Sequence, residues 1–340
     1  MNKQVGFTLI ELMIALALGL VIAAAATMLF LTGSRSQALQ QGQASVQDDA
    51  NFGLNFILKD IRLGNLNTVQ SSINDATTYG GIVFRTSANP ITVNGTDIAN
   101  IPLTIEGNTV NVNLLSRSHG LTAGAAPQWS GVSNVNTFSS DQLTIQYLPQ
   151  YIWDDQGTSS TTDDRWYGGF DCEGEALEFT AAQGRQVIVQ RYFLRVDENS
   201  SPNEPNQPLA LACDAGQYPL EGDPTSVTGL GDAGQIILKR ADHFRVLYGI
   251  QNGADHRYVD AATYLGMSAP RPRILSVQLG VLARSNQAVG RDDIFSDDQV
   301  FQVLDQAVTI TTPTGNAPKY VRQVVTQTIA LRNTFGERGQ

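Results

Sequence analysis

A single carboxylate, Glu11, sits inside an apolar run that extends from Phe7 to Leu31, where the only other polar residues are Thr8 and Thr27. A charge is costly inside such a span, so a carboxylate kept there has a task. Two cysteines, Cys172 and Cys213, lie far from this end. Export to an oxidising compartment would pair them in a disulfide; without export they read as two unrelated buried thiols. Asp154, Asp155, Asp163 and Asp164 form an acidic tract of hard oxygen ligands, a weak calcium candidate. The tract lacks the alternate-oxygen spacing and closing Glu of an EF-hand loop, so a solvated loop is its default reading and no metal is assigned.

Other residues look chemical and are better read as structural. Gly229-Leu230-Gly231-Asp232-Ala233-Gly234 satisfies a G-x-G-x-x-G pattern. A dinucleotide site needs a strand before that pattern and a helix after it, whereas here a Pro/Ser-rich loop precedes and the apolar strand from Ile236 to Lys239 follows, so the segment reads as a turn. His119, His243 and His256 are widely spaced and fit no metal motif. The sequence has no G-x-S-x-G or Walker motif, no catalytic residues are assigned, and no cofactor is expected. Tyr151, Trp153, Trp166 and Tyr167 flank the acidic tract. They read as packing aromatics ahead of a sugar- or protein-contacting patch.

The elements that position these residues begin with the apolar run. Twenty-five residues make a helix of about 38 Å, enough to cross a hydrocarbon core of about 30 Å. A secretory signal peptide would have a shorter apolar region with a small-residue cleavage site after it, which Ala23 to Ala26 imitate; Glu11 argues against that reading and against a plain anchor. Ala15, Gly19, Ala23 and Thr27 recur every four residues, a small-residue stripe that permits close helix packing. The helix is expected to continue, because the first proline is Pro90 and Val46, Ala50, Gly53, Ile57 and Ile61 keep a helical spacing. Asp48, Asp49, Lys59 and Arg62 fall elsewhere on the wheel. Gly64-Asn65 offers a stop. A helix from Phe7 to Leu63 would be about 85 Å long, with Gly33 and Gly42 as weak points.

After residue 65 the texture becomes β-rich. Strands are expected at Gly81–Arg85, Gln142–Leu148, Gln186–Val196, Gln235–Tyr248, Ile274–Ala283 and Tyr320–Arg332. Ser116–Ser140, Asp154–Gly169, Asp197–Gln207 and Tyr218–Gly231 read as loops. The expected fold class is α+β, a long N-terminal helix on an antiparallel sheet with long loops. The 340 residues are 42% apolar and 16% charged, a composition that packs a core. Up to residue 64 acidic and basic side chains balance, so the whole net charge of −10 belongs to the β-rich part. Such a surface repels phosphate backbones, and nucleic-acid binding is not expected.

The junction Gly6-Phe7-Thr8-Leu9-Ile10-Glu11-Leu12, followed by Met13-Ile14-Ala15-Leu16, resembles the leader junction of type IV prepilins. The resemblance implies a leader at residues 1–6, cleaved after Gly6 by a prepilin peptidase, and N-methylation of the new terminus, Phe7. It also implies a role for Glu11 in assembly. Cleavage would leave a cationic amine on Phe7 in the same apolar layer as Glu11, and an ion pair offsets much of the cost of each charge. Between subunits such a pair would set axial register; within one helix it is an ordinary local contact.

Ala241-Asp242-His243-Phe244-Arg245-Val246-Leu247-Tyr248-Gly249, the segment Arg273–Ser285, and Tyr320-Val321-Arg322 with Thr328–Asn333 are similar to the closing strands of PilW-type minor pilins. That resemblance implies a pilin-like fold in three parts. These are the leader, a stem helix over residues 7–64 with 7–31 crossing the inner membrane, and an exported domain over residues 65–340. The N-terminus would be cytoplasmic and the domain periplasmic before assembly, and the protein would lie at the pilus or cell surface afterwards. The implied function is a minor pilin that helps initiate and cap type IV pilus assembly near the tip, serving pilus biogenesis, twitching motility and adhesion. Implied partners are other minor pilins, the major pilin, the prepilin peptidase, the inner-membrane assembly platform and a tip adhesin. Two other readings stand beside it: a J-type pseudopilin of a type II secretion system, and a membrane-tethered periplasmic enzyme.

Overall fold

The computed structural model describes residues 6–87, 89–102, 112–121, 129–158, 160–200, 204, 206–222, 226–289, 298–313 and 318–334. Residues 1–5 of the segment expected to be a leader, and parts of the segments read above as loops, lie outside these. One helix, α1 (Leu9–Ile61), begins at Thr8, whose side chain accepts the Glu11 amide while Glu11 reaches back to the Thr8 amide. This reciprocal cap satisfies two amides that the first turn cannot pair, and starts the helix two residues after Phe7. Thr27 and Thr32 donate their hydroxyls to the carbonyls of Ala23 and Met28, so no polar hydrogen is left over on the apolar stretch. The helix ends at Ile61, with Arg62 as its C-cap and Asn65 in the left-handed region.

The remaining elements are β1 (Ile91–Val93), β2 (Thr96–Ile98), β3 (Leu143–Tyr147), β4 (Ile152–Asp154), β5 (Arg165–Phe170), β6 (Ala176–Thr180), β7 (Gln186–Val196) and β8 (Leu209–Pro219). They continue with β9 (Gln235–Lys239), β10 (Ala241–Asn252), β11 (Asp255–Val259), a short helix α2 (Ala261–Leu265), β12 (Arg273–Arg284), β13 (Val300–Val303), β14 (Gln306–Thr309) and β15 (Arg322–Ala330). Two four-stranded antiparallel sheets dominate, in orders β3-β7-β8-β9 and β11-β10-β12-β15. A three-stranded sheet β4-β5-β6 and the hairpins β1-β2 and β13-β14 are added to them. The fold is therefore α+β, with several sheets where one was expected.

Three expectations are corrected. The strand anticipated over Gln235–Tyr248 is two strands in different sheets, divided at Arg240, whose φ of 58° breaks the extended run. Gly81–Arg85 does not form a ladder. Ile82 makes one bridge to Ile145, and the Asn100 side chain takes the Phe84 and Arg85 amides instead of a neighbouring strand. The tract Asp154–Gly169 contains β5, paired to both of its neighbours. Strand β8 was not anticipated at all. Its Ala-, Gly- and Asp-containing sequence has weak strand propensity, and it is held between β7 and β9 by burial.

Val46, Ala50, Leu54, Ile57 and Ile61 of α1 are buried and join one core with Tyr192, Leu211, Phe244, Val277 and Val281 from both large sheets. Each fully buried Leu or Ile stabilises by roughly 1.5–3 kcal/mol, which outweighs a cost of roughly 1 kcal/mol for a mid-helix glycine. The glycines also have a use. A Cβ on Gly53 would lie 3.0 Å from Leu238 of β9, and one on Gly42 would lie 3.2 Å from Val289 and Val321. Gly42 is thus a close-approach point in a continuous helix, not a weak one.

Candidate functional site

Gly6, Phe7 and Thr8 form a non-helical segment ahead of α1, and Phe7 is 91% exposed. A peptide bond in this setting is open to a peptidase, which binds extended backbone more readily than helix. A Cβ at Gly6 would meet nothing within 4 Å, so any demand for glycine comes from outside the chain. The Glu11 carboxylate oxygen Oε2 accepts from the Thr8 amide and the Thr8 hydroxyl, each at 3.0 Å. Its local work in the uncleaved chain is therefore to cap the helix at Thr8, one residue from the position where the expected cleavage would create an amine. From Leu9 to Leu31 every large apolar side chain is exposed, with Leu31, the least so, still at 51%. Nothing among the described residues covers this half of α1, and that is the surface a bilayer or neighbouring helices can cover.

The second half of α1 carries one polar group that the periodicity gave no reason to single out. Asp60 is buried, and its Oδ2 accepts from the Tyr192 hydroxyl at 3.1 Å. Burial raises its carboxyl to about 6, although the Tyr192 hydrogen bond and Lys59 pull the other way. On the solvent side of the same segment, Phe52 is 75% exposed and Phe56 41%, one helical turn apart.

Cys172 and Cys213 are disulfide-bonded, with Cα atoms 6.2 Å apart, and both are buried. The bond ties the β5–β6 turn to the middle of β8. The aspartates of the acidic tract are not gathered for a metal. Asp154 accepts from the Gln156 amide, Asp155 from the Gly157 amide and Asp163 from the Thr158 hydroxyl, while Asp164 is buried. Among the described residues, the carboxylates that do converge are Glu173, Asp214 and Asp232, with one oxygen from each within 4.8 Å of the others. No sequence motif announces this trio. Glu173 and Asp214 each follow a cysteine of the disulfide, and that adjacency was the only available signal.

The glycine-rich segment is a turn, as its sequence context indicated. Gly229, Gly231 and Gly234 have positive φ, the Gly231 amide donates to Asp214 and the Gly234 amide to Asp232, and β9 follows where a dinucleotide site would need a helix. The histidines remain apart in role. His243 is buried between Ser133, Ser140 and Gln306, and burial pushes it down to about 4, so it stays neutral. His119 packs on Phe138, and His256 is exposed on β11. Tyr151 and Trp153 both pack on Trp166, with Tyr151 also against Phe179. Tyr167 lies across from Ile152 on the outer side of the small sheet, where Ile152 is 69% exposed.

Buried ion pairs fix the head. Arg245 reaches Asp141, Asp260 and Asp305, so β10, the short helix cap and the β13–β14 turn share one cation. Arg191 holds Asp214 on β8 at 2.6 Å, and Arg284 pairs with Glu204. Removing one member of such a pair strands the other in the core, which is the costly way to break it.

Comparisons with known proteins place these features. Residues 1–27 match the prokaryotic N-terminal methylation motif, and residues 192–333 match the family described as type IV pilus-assembly protein W. The second match runs from the second half of β7 to Asn333 and includes β10, β12 and β15. Among solved structures, a type IV-like pilin, TTHA1219 from Thermus thermophilus, is similar at 14% identity over 60% of this chain and 82% of that one, with a TM-score of 0.22. No curated protein matches the sequence. The methylation motif on its uncovered apolar helix and the PilW match on its closing sheet together support a type IV prepilin similar to PilW-like minor pilins.

Proposed function

We propose that the protein starts and caps assembly of a type IV pilus as a low-copy tip subunit, cleaved after Gly6, methylated on Phe7 and anchored through Phe7–Leu31. The observation that carries this reading is the division of α1. Its first half is uncovered and apolar but for Glu11, and its second half is locked into a large head. One half suits insertion beside other pilin stems. The other holds a head whose size disfavours close repetition around a filament. In this reading Glu11 leaves its bonds to Thr8 and meets the Phe7 amine of a neighbouring subunit, and the head, residues 65–340, lies in the periplasm before assembly and at the pilus surface afterwards. Its partners are other minor pilins, the major pilin, the assembly platform and a tip adhesin, and the phenotypes served are twitching motility and adhesion. A structural role of this kind requires no chemistry of the head.

The test is deletion of the gene in its native host, with counts of surface pili and twitching zones, and site-specific crosslinking from the head in cells carrying the wild-type chain. The expected result is a loss of surface pili with major pilin retained in the inner membrane, restored by the wild-type chain but not by Glu11→Ala, together with crosslinks to another minor pilin. Intact pili with loss of protein secretion would replace this reading with the pseudopilin one.

A further inference from the structure

Three segments meet beside the disulfide. The β5–β6 turn brings Glu173, whose Oε2 accepts from the Ala215 amide at 2.9 Å. Strand β8 brings Asp214, and the glycine-rich turn folds back to bring Asp232, whose Oδ1 accepts from the Gly234 amide. One oxygen from each carboxylate lies within 4.8 Å of the others. The cavity of about 550 Å³ at this place is lined by Asp171, Glu173, Glu175, Glu178 and Asp232, with no lysine or arginine in its lining. Among the described residues Arg191 is the one cation paired with the trio, and it engages a single carboxylate oxygen: Asp214 Oδ2 takes the Arg191 Nε and Nη2 and the Gly231 amide.

The other oxygen of Asp214 is the independent observation. The side chain is 0% exposed, and Oδ1 has no hydrogen-bond donor among the described residues. A buried carboxylate oxygen without a donor is an unmet demand for positive charge. Because Oδ2 is saturated, Oδ1 is the atom Asp214 has left to offer. A cation held by all three carboxylates meets that demand and relieves the mutual repulsion. The donor set is all oxygen, and the only thiols are locked in the disulfide, which selects a hard cation over zinc or copper. A separation of up to 4.8 Å is what two oxygens on opposite sides of a calcium ion span at about 2.3–2.6 Å each. The half-exposed Glu173 and the exposed Asp232 leave room for water to complete the shell.

We propose that Glu173, Asp214 and Asp232 bind one divalent cation of the calcium class, which clamps the glycine-rich turn and the disulfide-tethered turn onto β8. The inference rests on the head's own geometry and stands apart from the role assigned to the stem.

The experiment uses the full chain in detergent micelles, stripped with chelator and titrated with calcium chloride by calorimetry and by melting temperature. A single saturable site is expected, with Kd on the order of 0.1–1 mM, the range of extracellular calcium modules. The melting temperature should climb with each further tenfold of calcium. Asp232→Asn and Glu173→Gln should each weaken binding by about tenfold or more, as ligand charge count sets affinity. Both side chains reach solvent, so each variant is required to melt with the stripped wild type before it is titrated. A double variant in the remote tract, Asp154→Asn with Asp155→Asn, should bind as wild type does. The proposal is overturned by the absence of saturable binding up to about 10 mM, well above the weakest of those modules. It is equally overturned by unchanged affinity in both site variants, or by loss of binding in the remote double variant.

Discussion

Replacing Asp60 by Asn should stabilise the protein at neutral pH, and the gain should vanish in acid. Asp60 is buried where α1 meets Tyr192, and its carboxyl is raised from 3.8 to about 6, chiefly by desolvation. An acid whose folded value is raised holds its proton longer folded than unfolded. Wild-type stability therefore falls as pH rises from about 4 through about 6, and the full cost is present above that window. The displacement of about 2 units corresponds to about 3 kcal/mol at pH 7.5 and to nothing below about pH 4. Asn keeps an acceptor for the Tyr192 hydroxyl and carries no charge, so it removes the cost and retains the hydrogen bond. For a head of this size the difference amounts to about 5–10 °C in melting temperature. The assay is near-UV circular dichroism melting of wild type and Asp60→Asn, full chain in the same detergent, from pH 4 to 8. The reasoning fails if the variant is less stable at every pH, or if the difference between the two proteins does not change with pH.

Four further outcomes are expected. Intact mass from cells with prepilin peptidase should show an N-terminus at methylated Phe7, and a bulky substitution at Gly6 should leave the precursor uncut although no described residue crowds that position; a mature terminus elsewhere would refute the cleavage site. Alkylation of the unreduced, denatured protein should find no free thiol, and Cys172→Ala with Cys213→Ala should lower stability by about 4 kcal/mol in the chain-entropy model, read by urea titration. Gly53→Val, placed 3.0 Å from Leu238, should cost about 1–3 kcal/mol by overpacking the contact of α1 with β9, whereas the same change at the unpacked Gly33 should leave the melting temperature of the head where it was. Residues 35–340 should form a soluble monomer that binds another minor pilin with micromolar affinity but does not enter pili, and a tight symmetric homodimer without such affinity would count against the tip reading.

What the chain declares without folding is what depends on near neighbours. The leader junction from Gly6 to Glu11 is read at fixed spacing, and it marks both the processing motif and the reciprocal cap with Thr8 that begins α1. The length of the apolar run follows from composition, and the buried face from Val46 to Ile61 follows from the helical period. Strands β7, β12 and β15 show in their alternation because they are long and rich in β-branched residues. Tertiary structure decided whatever depends on residues far apart in the chain. One residue in the left-handed region, Arg240, sends an apparently continuous strand into two sheets, and nothing in the local pattern marks it. Strand β8 exists because β7 and β9 flank it, against its own weak propensity. Gly42 and Gly53 are contact points only because Val321 and Leu238 arrive from remote parts of the chain. The convergence of Glu173, Asp214 and Asp232 needs the disulfide, a sheet register and a folded-back turn at once, so it has no counterpart in spacing along the chain.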